Sequence, residues 1–309
     1  MARRIKRGRP VDGVLLLDKP IGMTSNAALQ AVKRLFQARK AGHTGSLDPL
    51  ASGMLPICLG EATKISSFLL DADKRYRVGM RLGICTETGD AEGEVSYRHE
   101  GTIDFPRPVI EEALTGFVGR IDQIPPMYSA VKVNGRPLYE SARKGIDVER
   151  KSRQVDIHEL RLLAHDGVDL EIDVACSKGT YIRTLVEDIG RALGCGAYVT
   201  ALRRPEVAGF GSGEMLTFER LEAIAAEGEL AALDALLINA SEVLSHWPAV
   251  SLNADMTFFV TRGQAVQVPN APTSGWVRLF AGDERFLGMG TILDDGRVAP
   301  KRMMQANQE

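Results

Sequence analysis

Apolar and polar positions along this chain change period several times, and each change marks an element. Residues 12–17 (DGVLLL) form a short, continuous apolar run of the kind a buried strand needs, ended by Lys19 and Pro20. Thr24 or Ser25 then caps a helix whose apolar residues Leu29, Val32, Leu35 and Phe36 recur at helical spacing. Residues 42–53 (GHTGSLDPLASG) crowd Gly, Pro, Ser and Asp together and predict a loop. The strand predicted over 54–60 contains Pro56, which confines it to an edge or a bulge. A helix follows over 61–72 with Ile65, Phe68 and Leu69 inward, then a strand over 75–82 with 95–98 as its partner. Pro108 opens a helix through 111–117. Asn134 and Gly135 predict a two-residue hairpin turn. Residues 154–164 and 168–176 alternate like antiparallel strands around His165, Asp166 and Gly167. A helix over 180–193 is stopped by Gly194, and a strand follows over 197–203. Residues 217–240 read as a helix whose solvated face carries Glu219, Glu222, Glu227, Glu229 and Asp234. Beyond Trp247 and Pro248 the elements shorten to a small helix and strands over 264–268, 276–280 and 285–293.

This mixture of helices, strands and hairpins predicts an α/β (α+β) fold with a central mixed, largely antiparallel sheet, rather than a doubly wound parallel one. The change after Trp247 sets a small β-rich domain at 248–309 behind a main domain at 11–247 and a basic tail at 1–10. A chain of 309 residues fits this division, since single cores rarely grow past ~250 to 300 residues.

Composition changes the picture little: 44% hydrophobic and 25% charged residues are globular averages. No apolar run approaches the ~18 residues of a membrane span. The opening MARRIKRGRP is basic but lacks the apolar core of an export signal, so a soluble, cytoplasmic protein is expected. Cys58, Cys85, Cys176 and Cys195 are isolated singles, which indicates neither zinc ligands nor a disulfide framework. Charge is more informative in its distribution than in its total of −2. Residues 1–40 hold ten Lys or Arg against Asp12 and Asp18, a net of +8 on an otherwise acidic body. Such a segment is either a solvated tail or one end of a polyanion-binding face.

Most familiar site types are missing. There is no GxxxxGK[ST], no completed GxGxxG, no GxSxG, and no metal spacing among His43, His99, His158, His165 and His246. One carboxylate in a constrained loop remains. Pro49 biases Asp48 towards extended geometry, and the preceding glycines allow close backbone approach, which suits presenting one side chain into a cleft. The same residues also suit an ordinary turn of Asp48 with Pro49 and Ser52.

The segment GHTGSLDPLASGMLPICLGEATK, residues 42–64, closely resembles the active-site motif of TruB-type tRNA pseudouridine synthases. The same family is matched by GVLLLDKPIGMTSN (13–26), DKRYRVGMRLG (73–83), IPPMYSAVKVNGRPLYE (124–140) and CSKGTYIRTLVEDIG (176–190), in order along the chain. Ser46 departs mildly, since the family more often has Ala or Thr there. The resemblance implies a pseudouridine synthase fold with a PUA-like RNA-binding C-terminal domain. It implies an isomerase, acting without a cofactor on uridine 55 in the T-arm stem-loop of tRNA, with Asp48 as the essential residue. His43 matches the residue that fills the space vacated by the flipped base, and Tyr76 the aromatic that stacks on it. Tyr181 and Leu202 match the lining of the uracil pocket, and Arg183 the arginine that pairs with the aspartate. Lys19 matches the lysine of the family's KP turn, with either a structural role or an RNA contact. Asp48 then acts as a nucleophile on C1′ or C6, or as a base on the C2′ proton to give a glycal. The bacterial look of the N-terminal half separates the chain from guide-RNA-dependent relatives, which act with partner proteins, so no obligatory protein partner is expected; the sequence does not show the oligomeric state, for which a monomer is the expectation. A non-catalytic RNA-binding protein on this scaffold is disfavoured by the presence of Asp48.

Overall fold

In the computed structural model, described for residues 8–305 apart from 130, 134, 229 and 283 and the side chains of 132, 137 and 139, the first apolar run becomes strand β1 (Gly13–Lys19). Its side chains alternate between two cores. Leu15 and Leu17 join Leu29, Val32 and Phe36 from helix α1 (Ser25–Leu35) and its C-terminal end, whereas Val14 and Leu16 join Ile65, Leu69, Val243 and Leu244. Cover on both faces is why the run is continuously apolar. Thr24 caps α1, its hydroxyl accepting from the Ala27 N–H at 3.1 Å.

Strands β2 (Ala41–His43) and β3 (Ala51–Leu59) shorten the predicted loop to residues 44–50. Pro56 lies in an interior strand, which corrects the edge-or-bulge reading. On one side β3 pairs with β1 through residues 53–59. On the other, residues 51–53 and 57–59 pair with two different strands, leaving a gap between them. The N and C=O of one extended residue point the same way, and the Pro56 carbonyl accepts from the Thr44 N–H at 3.1 Å. The missing Pro56 N–H therefore falls in the gap, where no ladder bond is lost.

The helix over 61–72 is a 3-10 turn (Gly60–Ile65) running into α2 (Ser66–Asp71). Next come β4 (Lys74–Leu82) and a small hairpin of β5 (Ile84–Thr86) with β6 (Val95–Arg98), so 95–98 partners β5 rather than β4. Helix α3 (Arg107–Thr115) and β7 (Gly119–Gln123) lead to the short pair β8 (Lys132–Val133) and β9 (Arg136–Pro137). These flank the predicted turn, of which Asn134 lies outside the described residues. After α4 (Leu138–Ala142), strands β10 (Arg153–Asp166) and β11 (Asp169–Cys176) make a hairpin turning at 167–168. Helix α5 (Ile182–Ala192) and β12 (Ala197–Val207) complete the main sheet. Its order is β1-β3-β12-β4-β11-β10-β7, with β2 beside β3, and only β3 with β12 runs parallel. The parallel pairing brings β12 alongside Ala51–Gly53, directly after the loop of Asp48.

The long helix predicted over 217–240 is broken at Gly228 (φ +85°) and again over residues 235–239, giving α6 (Phe218–Ala226), α7 (Leu230–Asp234) and α8 (Ala240–Val243). Asp234 is not simply solvated, because it takes an ion pair from Arg9 at 2.5 Å; Glu229 lies outside the described residues. Arg9 also donates from its backbone N–H to Gln37 O and from Nε to Phe36 O, so the tail is anchored by residue 9.

The second sheet is built from β13 (Ala249–Leu252), helix α9 (Ala254–Val260), β14 (Trp276–Ala281), β15 (Arg285–Ile292) and β16 (Val298–Met303). Its strands run in the order β13-β14-β15-β16 over a core of Val250, Leu252, Val277, Leu279 and Val298. Residues 264–268, expected as a strand, make only a single bridge, Val266 to Val298. Met289 reaches the core of Val14 and Leu16, and Phe68 meets Trp247 and Trp276 edge-on with centroids 5.0 Å apart in each case.

Candidate active site

Residues 44–50 are held from four directions. Ser25 Oγ accepts from the Leu47 N–H at 2.7 Å and donates to its carbonyl at 2.9 Å, pinning the loop to the start of α1. The Gly22 N–H bonds Pro49 O, and the Ala51 N–H bonds Asp48 O. Arg204, on β12, donates from Nη2 to Gly45 O at 3.0 Å. Gly45 itself has φ +80°, which a larger residue adopts only with strain.

Asp48 projects from this loop with its side chain 41% exposed, and Arg183 Nη2 lies 3.0 Å from its Oδ2. Arg183 belongs to the first turn of α5, and its side chain is only 7% exposed. Both terminal nitrogens are engaged: Nη1 bonds Thr88 O and lies 3.5 Å from Asp90, and Nη2 also bonds Tyr128 O. Read without the family resemblance, it would be a surface helix arginine; the convergence of α5, the turn after β5 and the 124–129 segment buries it. Burial raises the Asp48 carboxyl above its ordinary value, with Asp90 adding to the rise and Arg183 and Lys19 opposing it.

Asp48, Tyr76, Tyr181, Arg183 and Leu202 line one cleft of ≈ 280 Å³. Tyr76 and Leu202 face it from neighbouring strands β4 and β12, in phase with Val78, which pairs with Leu202. Tyr181 stands just before α5, and its backbone is clamped by buried Gln123, whose amide bonds both its N–H (3.0 Å) and its C=O (3.3 Å). His43 and Lys19 do not line this cleft. His43 ends β2, with a buried Nδ1 that has no partner among the described residues, and burial lowers its pKa. Lys19 is fully buried, and its Nζ donates to Pro20 O and Met23 O at 2.8 Å each. That geometry ties Lys19 to the turn that follows β1. Burial lowers its pKa to about 8.

Four residues in three places escaped the sequence reading. Gln123 and Ser129 are one, a buried amide and a cleft-lining hydroxyl without a partner among the described residues. Arg204, 1% exposed, is the second. The third is Lys74, buried at the cleft with Nζ on Leu70 O at 2.8 Å and on Ala72 O. A signal existed for Arg204: it lies two residues beyond Leu202, hence on the same strand face. The charged residues at the start of β4, Lys74, Arg75 and Arg77, divide by the same rule. Arg75 and Arg77 lie opposite Tyr76 and are paired with Glu159, Asp173 and Glu171. Among the described residues no group of three or more His, Cys, Asp or Glu could hold a metal ion, and no helix is long and apolar enough to cross a membrane.

Comparison with solved structures places this architecture. The chain superposes on one in a Cbf5-Nop10-Gar1 complex with TM-score 0.70 at 27% identity, covering 91% of this chain and 78% of that one. It also matches, in fold, a chain of an H/ACA RNP bound to a substrate RNA containing 2′-deoxyuridine, with TM-score 0.73 at 23% identity over 99% and 92% of the two. The class is that of the pseudouridine synthases. Residues 33–182 match the TruB family pseudouridylate synthase N-terminal domain, 183–245 the tRNA pseudouridylate synthase B C-terminal domain, and 248–304 the pseudouridine synthase II TruB C-terminal domain. A tRNA pseudouridine synthase B of Nitrosococcus oceani is 56% identical over 96% of both chains, and one of Yersinia pestis (strain Pestoides F) 52% identical over 100% of this chain and 97% of its own. The chain belongs to the TruB family of pseudouridine synthases.

Proposed function

We propose that this protein isomerises uridine 55 in the T loop of tRNA to pseudouridine, with Asp48 as the reacting residue. The observation that carries the reading is a single half-exposed carboxylate at the mouth of a cleft, fixed by a buried arginine and facing a tyrosine. Relatives at 52–56% identity carry the name tRNA pseudouridine synthase B, which favours tRNA over a guide-RNA substrate. The carbons that react are buried in a stacked loop, so the nucleotide must leave its stack to enter the cleft. Tyr76 then stacks on the base, with Tyr181 and Leu202 on either side. His43, beside the cleft, fills the vacated space in the RNA.

A carboxylate made more basic by burial is suited to take a proton, and this favours the glycal route. Asp48 takes the C2′ proton, the C1′–N1 bond breaks with its electron pair going to uracil, and a C1′=C2′ double bond forms. The base turns within the cleft, C5 bonds to C1′ as Asp48 returns the proton to C2′, and the C5 proton is exchanged for one on N1 through water. Arg183 keeps Asp48 oriented throughout. The second sheet, residues 248–309 in this division, serves as a PUA-like module on the acceptor side of the tRNA, and the protein acts as a monomer.

Incubation with unmodified tRNA followed by chemical mapping tests the reading. One pseudouridine at position 55 is expected; none, or one elsewhere, contradicts it.

A further inference from the structure

Arg204 is among the largest fully buried side chains of the protein. Its Nε donates to Met54 O at 2.8 Å and its Nη2 to Gly45 O at 3.0 Å, so it bridges β3 and the loop of Asp48. Both acceptors are neutral carbonyls. Among the described residues, no carboxylate forms an ion pair with Arg204, whereas its neighbour Arg203, on the opposite face of β12, pairs with Asp18 at 2.7 Å. Lys74, the second buried cation of the cleft wall, likewise bonds only carbonyls. The approach of β12 to β3 that seats Arg204 is tight. A Cβ on Gly53 would stand 2.4 Å from Arg204 O, so glycine is required for the contact.

A buried cation without a counter-charge is costly, and a structure that keeps one beside a cleft has placed positive potential there. Arg183 does not share this surplus, being matched by Asp48 and Asp90. Arg204 lines the cleft together with Tyr76, and its positive charge acts on the Tyr76 phenol.

Resting on the function proposed above, we infer that Arg204 is a positioning residue of the isomerisation: it holds the loop of Asp48 through Gly45 and supplies the positive charge that balances the detached uracil anion. When Asp48 accepts the C2′ proton it becomes neutral, and the negative charge passes to uracil as the C1′–N1 pair. The total charge of the cleft is unchanged, but its location moves from the Arg183 side towards Tyr76 and Arg204. The same need arises if Asp48 instead attacks C1′, because that route also expels uracil as an anion.

The test compares single-turnover rates of Arg204→Gln, which keeps a donor for the carbonyls but loses the charge, with those of Arg204→Lys, which keeps the charge. The substrate is an unmodified tRNA transcript carrying either uridine or the more acidic 2-thiouridine at the target position. Loss of a preorganised charge should slow Arg204→Gln about a hundredfold on uridine, with KM within about threefold of wild type and Arg204→Lys within about tenfold. On 2-thiouridine, whose anion needs less stabilisation, the Arg204→Gln loss should shrink at least about tenfold. Equal losses on the two substrates, a fully active Arg204→Gln, or an Arg204→Lys no better than Arg204→Gln would overturn the inference. Should Arg204→Gln fail to fold, Arg204→Lys decides, and any loss beyond about tenfold overturns it. Asp48→Asn run alongside separates the two proposals: if it is inactive while Arg204→Gln turns over normally, only the role of Arg204 falls.

Discussion

The Arg183 guanidinium, rooted in the first turn of α5, lies 3.0 Å from the carboxylate of Asp48, which comes from a loop between β2 and β3 far earlier in the sequence. The same guanidinium reaches Asp90 at 3.5 Å and two backbone carbonyls. It therefore fixes the direction of Asp48 while being itself immobilised, which is how a reacting group is kept within the narrow tolerance of a productive geometry.

Arg183→Lys keeps the charge but cannot serve the carboxylates and both carbonyls at once, because an ammonium lacks the planar fork. Turnover should fall by about two orders of magnitude while the Kd for tRNA changes by less than about threefold, since phosphate contacts dominate affinity. Steady-state kinetics and filter binding on the same preparation check this, and a loss confined to KM would count against an orienting role.

Tyr76 carries a stacking face and a hydroxyl, and two variants separate them. Tyr76→Phe retains the ring, whereas Tyr76→Leu retains neither. If stacking is its whole contribution, Phe should keep most activity and Leu should lose the ~1 to 3 kcal/mol typical of one base–aromatic stack. If the hydroxyl moves a proton, both variants should be nearly inactive. The isomerisation rates of the pair decide.

The raised pKa of Asp48 has a sign that can be followed. The reacting form is the carboxylate, so activity falls with acid, and the midpoint should lie above the ordinary carboxylate value of ~4. Asp90 contributes negative charge that raises Asp48. Asp90→Asn should therefore move the acid limb of kcat to lower pH, and a limb that stays in place or moves up would contradict the assignment of that limb to Asp48.

At the N-terminal end, Arg9 pairs with both oxygens of Asp234 and also holds Phe36 O. Arg9→Ala should cost about 1 kcal/mol of stability, because the pair is only partly screened by solvent. Denaturant melts of Arg9→Ala beside a deletion of residues 1–7 test this, with the deletion expected to leave the midpoint unchanged.

Much of this was legible before the fold was known, and the physical reason differs by residue. The apolar run at 13–17 and the Thr24 cap are local signals, fixed by burial on two faces and by one side-chain bond. Asp48 was visible as a carboxylate in a Gly- and Pro-rich loop, but the family resemblance was needed to join it to Arg183 and Tyr76, which sequence distance separates. Pro56 was misread because the gap opposite it exists only once two different strands have met β3. The strand face of Arg204 was legible from Leu202, but the burial of Lys19, Lys74 and Arg204 was not, since nothing local announces that a charged side chain will end on backbone carbonyls inside the protein. The pairing of Arg75 and Arg77 was hidden for a similar reason: their acidic partners come from β10 and β11.

The most direct test of the account is the rate of tritium release from C5-labelled uridine in tRNA by Asp48→Asn. The side chain keeps its size, and the rest of the cleft stays in place. Isomerisation should be undetectable, with tRNA affinity within about an order of magnitude of wild type, because one carboxylate contributes little beside many phosphate contacts. Turnover above about a hundredth of the wild-type rate, the scale of a lost acid–base group, would contradict it and remove Asp48 from the reaction.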